Sequence, residues 1–212
     1  MTQHPHNLEH SLSVHGKNVQ CLAEILRDNV NLAVWQRPRN NLWAAFVKEF
    51  CNRAGNLERF VSLERGQSAA TALPGWALDI EGSNHWIADV DELAEMYQCL
   101  FEPEAIGLRI HVLADTMCPR FHVDRVPVRL LCTYRGPGTE WLPEPLVTRP
   151  AGEGPLPEQS VPSDQIQTIP TAAVALLKGE AWEGNEGRGL VHRSPQPNGT
   201  PRLIVGLDWL SS

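Results

Sequence analysis

The apolar positions of the chain change their period about halfway along. Between residues 18 and 101 they recur at helical spacing. Val19, Leu22, Ile25 and Leu26 share one face, and Trp43, Phe46, Val47 and Phe50 do so again beyond the breaker Pro38. A third helix is capped by Asp89 and buries Val90, Leu93, Met96, Tyr97 and Leu100 along one stripe. From Gly107 the period shortens to two. Residues 109–114 predict a strand, and residues 126–134 alternate. Val126, Val128, Leu130, Cys132 and Tyr134 fall on one face, Arg129 and Thr133 on the other. Gly136-Pro137-Gly138 ends that strand, and a loop rich in proline, glycine and acid runs over residues 143–162. Further strands are predicted at 173–177, 189–192 and 202–207. Short strands divided by Gly/Pro turns, with no helices between them, predict an antiparallel sandwich or barrel.

This pattern describes an α+β chain: a polar tail over 1–17, a helical support region over 18–106, and a β-rich region over 107–212. At 212 residues, positions 18–212 fit one compact domain that needs no disulfide staples. The tail holds His4, His6, His10 and His15. Without a cysteine partner they read as a solvated terminus rather than a metal-catching one. With 25 acidic against 18 basic residues and a net charge of -7, no nucleic-acid partner is expected. No apolar run is long enough for a membrane span or an export signal, so no membrane association is expected. Five cysteines without a Cys-x-x-Cys pair imply free thiols in a reducing cytoplasm and exclude a zinc ribbon. Gly-x-Ser-x-Gly, the phosphate-binding loop with lysine, and His-Glu-x-x-His are all absent.

Candidate chemistry begins at His122-Val123-Asp124. On an extended strand, positions i and i+2 project to one side, so an imidazole and a carboxylate stand together. Alone, such a pair equally describes a histidine oriented by its neighbour. His192, at the end of a short apolar strand, offers a third ligand. Two histidines and one carboxylate, with coordination positions left open, form the facial triad of non-haem iron oxygenases. Arg202 lies ten residues beyond His192, past the turn Pro197-Asn198-Gly199, and can fork a carboxylate from the neighbouring strand.

The order His122-x-Asp124, His192, Arg202 resembles the Fe(II)/2-oxoglutarate-dependent dioxygenase superfamily, whose fold is the double-stranded β-helix, a cupin-like jelly roll. Residues 173–179 are similar to the apolar strand and turn before that superfamily's distal histidine, and residues 136–141 to its glycine-and-threonine turn. The resemblance covers residues 107–210. The stretches Cys118-Pro119-Arg120-Phe121-His122-Val123-Asp124, residues 132–141 (Cys-Thr-Tyr-Arg-Gly-Pro-Gly-Thr-Glu-Trp) and His192-Arg193-Ser194-Pro195 also resemble an uncharacterised bacterial family, a domain of unknown function.

The resemblance implies a jelly roll with the helical N-terminal half packed against it. It implies that His122, Asp124 and His192 bind Fe(II) and that Arg202 pairs with a carboxylate of 2-oxoglutarate. Tyr134 either adds a hydrogen bond to that carboxylate or is a core tyrosine. Arg193 and Ser194 either orient the distal ligand, or Arg193 competes with Arg202. The 143–162 loop stands where such enzymes cover their substrate, here a small molecule or protein of unknown identity. The alternative is a non-redox, cupin-like zinc-handling protein with Cys118 as fourth ligand. A zinc hydrolase using Glu140 or Glu180 as base, or a sandwich in which His122 and His192 never meet, completes the range. Arg120, Arg125, Arg129 and Arg135 cluster around the His-x-Asp pair. They read as solvated or carboxylate-paired rather than as a basic pocket, and alternation sets Arg129 and Arg135 opposite His122.

Overall fold

The computed structural model describes residues 11–114, 117–150, 154–196 and 198–210. Its strands are β1 (Leu12–Gly16), β2 (Val30–Trp35), β3 (Leu57–Glu64), β4 (Ala105–Leu113), β5 (Val128–Arg135), β6 (Glu140–Trp141), β7 (Gln167–Thr168), β8 (Val174–Lys178), β9 (His192–Arg193) and β10 (Arg202–Leu210). Seven of these form one sheet in the order β1-β2-β8-β5-β10-β4-β3, and a second sheet has the order β7-β6-β9. All pairings are antiparallel except β1 with β2. The helices are α1 (Ala44–Ala54), α2 (Gly75–Leu78) and α3 (Ser83–Phe101).

Strand alternation gives the large sheet two unlike faces. Ile106, Leu108, Ile110 and Val112 of β4, Val128, Leu130, Cys132 and Tyr134 of β5, and Leu203, Val205 and Leu207 of β10 point to one side. There they meet Phe46, Phe50, Trp86, Tyr97 and other aromatic residues of the helical layer. The other side divides in two. Leu32, Val34, Ala175 and Leu177 pack under Trp141, Ile169 and Leu190 in a second, smaller core. Beside it the sheet carries Arg109, His111, Arg129, Thr133, Arg202 and Asp208. A polar stripe on a covered sheet face is where chemistry is to be sought.

The predicted strands at 109–114, 126–134, 173–177 and 202–207 correspond to β4, β5, β8 and β10. Of 189–192 only the last residue pairs, in β9. The helical stripe at 19–26 becomes a 3-10 helix, Val19–Leu26. Three strands arise where the pattern predicts tail or helix: β1, β2 and β3. β2 is buried on both faces, so its sequence Val-Asn-Leu-Ala-Val-Trp carries no two-residue alternation to read. Asp89 does not cap a helix. α3 begins six residues earlier behind Gly82, at φ 83°, and Asp89 lies within it. Its carboxylate takes both nitrogens of Arg37 at 2.7 Å and the Tyr134 hydroxyl at 2.6 Å, tying helix to sheet. His4, His6 and His10 lie outside the described residues. His15 stands on β1 against the Trp141 ring, and burial lowers its pKa. All five cysteines are free thiols. Among the described residues no helix is long and apolar enough to cross a membrane.

Candidate metal centre

His122 and His192 are brought face to face by the backbone. Their main chains exchange two hydrogen bonds, His122 N–H to His192 O at 2.9 Å and His192 N–H to His122 O at 3.0 Å. This antiparallel bridge extends the small sheet beyond β9 and sets the two rings on one side, 4.5 Å apart. Asp124 follows two residues on. Its main-chain carbonyl accepts from Glu180 N–H at 2.9 Å, anchoring it beside the end of β8. The ligand atoms of His122, Asp124 and His192 all lie within 4.8 Å of one another. The sequence-predicted triad is therefore assembled in space, and a sandwich in which the two histidines never meet is excluded.

The protonation of the rings follows from their partners. Nδ1 of His122 is 3.0 Å from Arg120 O, and Nδ1 of His192 is 3.0 Å from Leu190 O. A carbonyl only accepts, so each Nδ1 carries a proton, and a neutral ring then presents its Nε2 lone pair. Those lone pairs face a carboxylate: His122 Nε2 is 4.0 Å from Asp124 Oδ1, and His192 Nε2 is 3.4 Å from Oδ2. Burial holds the His192 pKa below its ordinary value, keeping the ring neutral. Oδ2 of Asp124 is buried and has no hydrogen-bond partner. Three electron-rich groups turned toward one point, one of them orphaned, repel one another unless a cation lies between them. The donor set fits a divalent metal, which at bond lengths of ~2.0–2.2 Å would draw the three groups slightly together. Cys118 does not join the cluster, so the fourth ligand of the zinc alternative is missing.

Arg129 holds the carboxylate in place. Its Nη1 donates to Asp124 Oδ1 at 2.7 Å, and its Nε donates to Asp208 Oδ1 at 2.5 Å. Asp208 also accepts from Arg109 at 2.6 Å. The result is an Asp124–Arg129–Asp208–Arg109 chain across the sheet face. With Oδ1 engaged by Arg129, Asp124 is left with one oxygen for a metal. The expectation that Arg129 lies opposite His122 is corrected here. The apolar residues of β5 must face the helical layer, which turns Arg129 and Thr133 toward the site.

Arg202 is buried at the start of β10, 6% exposed. Its guanidinium donates only to hydroxyls: Thr139 at 2.8 Å, Ser194 at 3.3 Å and Thr133 at 3.4 Å. Its Nε is buried with no partner, and no carboxylate pairs with it among the described residues. Burial pulls its pKa down to about 10, against a weaker attraction from Glu140, so it stays charged at neutral pH. A buried cation that meets only hydroxyls has the chemistry to accept an anion.

Two other predicted roles fail. Tyr134 lies on the helix-facing side of β5, donates to Asp89, and stacks edge-on with Trp43 and Trp86. It is a core tyrosine and is turned away from Arg202. Arg193 donates to Glu140 at 2.6 Å and covers Phe121 at 4.3 Å, so it does not compete with Arg202. That bridge also occupies Glu140 as a base. Glu180 is likewise engaged, by the N–H groups of Gly187 and Gly189. Sequence reasoning did not single out Thr133 and Thr139, set Ser194 beside the distal histidine rather than Arg202, and read Arg129 as solvated or carboxylate-paired without naming Asp124 as its partner. The signal was present in β5, where two polar residues four apart share a face that no helix covers.

A family model described as "Protein of unknown function (DUF1826)" matches residues 16–208. A search of curated proteins returned no match. Among solved structures, the chain is similar to a candidate oxygenase from Shewanella oneidensis, with TM-score 0.52 and 11% identity over 95% of this chain and 90% of that one. It is also similar to the dioxygenase for auxin oxidation 1 from Arabidopsis thaliana in its binary complex with 2-oxoglutarate. There the TM-score is 0.51 and the identity 9%, over 95% and 93% of the two chains. At such identities the likeness concerns the fold: a sheet-rich α+β architecture of the 2-oxoglutarate oxygenase kind.

Proposed function

We propose that this chain, which belongs to the DUF1826 family of proteins of unknown function, is a non-haem Fe(II)- and 2-oxoglutarate-dependent oxygenase. One observation carries the reading. A two-histidine, one-carboxylate cluster, with each Nδ1 against a main-chain carbonyl, is tied through Arg129 to the sheet face that also carries Arg202, a buried arginine with no carboxylate partner among the described residues. In this reading His122, Asp124 and His192 hold the metal, and Arg202 receives the far carboxylate of 2-oxoglutarate. When bound, the iron would supply the redox capacity to turn dioxygen on a substrate C–H bond.

The chain's own residues have definite tasks in it. Arg120 O and Leu190 O fix the tautomers of the two rings, and Arg129 fixes the carboxylate. Thr133, Thr139 and Ser194 hold the Arg202 guanidinium in place while leaving its charge without a carboxylate partner. The reading extends to the finer architecture, a double-stranded β-helix or cupin-like jelly roll. In support, the small sheet with its His122 extension lies across the Leu32–Leu177 core from the large one.

Calorimetric titration under anaerobic conditions tests the proposal. Wild-type protein loaded with Fe(II) or Mn(II) is expected to bind 2-oxoglutarate. Arg202→Met is expected to weaken that binding on the order of 100-fold with metal content unchanged, since a buried charge pair loses one partner. Tight zinc binding with no 2-oxoglutarate binding under any metal would refute it.

A further inference from the structure

One residue of the candidate metal centre, His122, lines a cleft of about 800 Å³, within the size range of small-molecule sites. His122, whose side chain is 36% exposed, forms part of its wall, whereas Asp124 and His192 are buried. Phe121, Val123 and Leu156 make the lining partly apolar. One face of Phe121 is already covered by Arg193.

The charges in the cleft do not cancel in the same way. Arg149 is occupied by both oxygens of Glu144, at 2.6 and 2.8 Å, and by Gly189 O. Glu180 is spent on the N–H groups of Gly187 and Gly189, and Glu186 accepts from Gly184 N–H at 3.3 Å. Arg120 and Arg125 are exposed, and their guanidinium groups have no hydrogen bond or ion pair among the described residues. In a chain of net charge -7, two arginines that bracket the His122–Asp124 pair and have no partner among the described residues are a local exception. Two guanidinium groups flanking one cavity suit a single shared anion, which forked donors grip well.

We infer that the cleft receives a small amphipathic anion: an apolar body against Phe121 and Leu156, and a carboxylate or phosphate ester held by Arg120 and Arg125. Calling that molecule the substrate rests on the oxygenase reading. Its binding does not. A body seated beside Phe121 lies next to His122, and so within reach of whatever that residue holds.

Binding of phenyl phosphate, benzoate and the neutral benzamide to the full chain tests the inference. At least one anionic probe is expected to bind about tenfold more tightly than benzamide, and to weaken as salt is raised. Arg120→Gln combined with Arg125→Gln is expected to lose about that factor, while keeping the wild-type circular dichroism spectrum. Preference for phenyl phosphate or for benzoate identifies the anionic group. Equal binding of benzamide, or unchanged affinity in the double variant, overturns the inference. So does loss of probe binding in Arg202→Met, which would put the anion at Arg202. A polyglutamate peptide held by the same arginines, with none of the three probes binding, would replace the small molecule with an acidic polypeptide. If instead 2-oxoglutarate fails to bind while the probes do, the oxygenase reading falls and the cleft assignment stands.

Discussion

Asp124 shows how one neighbour can decide what a side chain does. With Arg129 on Oδ1 and no hydrogen bond on Oδ2, the carboxylate has a single oxygen to offer and one orientation in which to offer it. Removing Arg129 would let the group rotate and leave it less well held. Arg129→Met is therefore expected to lower affinity for Mn(II) or Co(II) by about 10–100-fold, as loss of a ligand's supporting hydrogen bond does elsewhere. Asp208 keeps Arg109 in that variant, so the fold should survive. Metal titration alongside a thermal melt separates the two effects. Wild-type affinity in a folded variant would show that Arg129 does not position the ligand.

At the scale of elements, the turn from β5 to β6 delivers Thr139 to Arg202. Gly136 makes the turn at φ 80°, with the Arg202 backbone against it. Gly138 passes so close to β7 that a Cβ would stand 1.7 Å from Ile169 O. Backbone cannot yield as a flexible side chain can, so Gly138→Ala must push β6 and β7 apart. The expected cost is about 1–3 kcal/mol or more in urea unfolding. A drop in 2-oxoglutarate affinity should accompany it, as Thr139 withdraws from the guanidinium. Unchanged stability would mean that the turn relaxes freely. Asp89 follows the same logic on the opposite face. Its place inside α3 matters because Arg37 and Tyr134 meet there and fix the helix to β5.

For the molecule as a whole, the large sheet separates an aromatic, helix-covered core from a polar site. Lys178 is a buried exception at the end of β8: it donates to Arg27 O at 2.8 Å and lies over Trp182 at 4.8 Å. Burial lowers its pKa to about 8. Unfolded, the same amine titrates near ~10.4. Between those values the unfolded chain binds more protons than the folded one, so this contribution to stability improves as pH rises from 8 and is least favourable below it. The full swing is at most about 3 kcal/mol. Chemical denaturation across this range should show a rise in wild-type stability that Lys178→Met lacks. Parallel pH profiles for the two proteins would contradict it.

Much of the β-rich half and the identity of the three clustered side chains were legible in the chain. Alternation in β4, β5 and β10 is a local property, and a His-x-Asp pair with a distal His and Arg is a matter of order along the sequence. Local pattern could not reveal β2, whose burial on both faces erases alternation, nor edge strands β1 and β3, whose role depends on the neighbours they join. It also could not say which face of β5 meets the helices. That choice sends Tyr134 to Asp89 and brings Arg129 to Asp124, reversing what parity with His122 implied. The sequence by itself determined the candidate ligand types, their order and the local periods, because covalent spacing sets those. Only the tertiary structure decided partners: the hydroxyl cradle of Arg202, the anchor of Asp124 and the cleft arginines, which have no partner among the described residues. Those depend on distances between residues far apart in the chain, which no local pattern encodes.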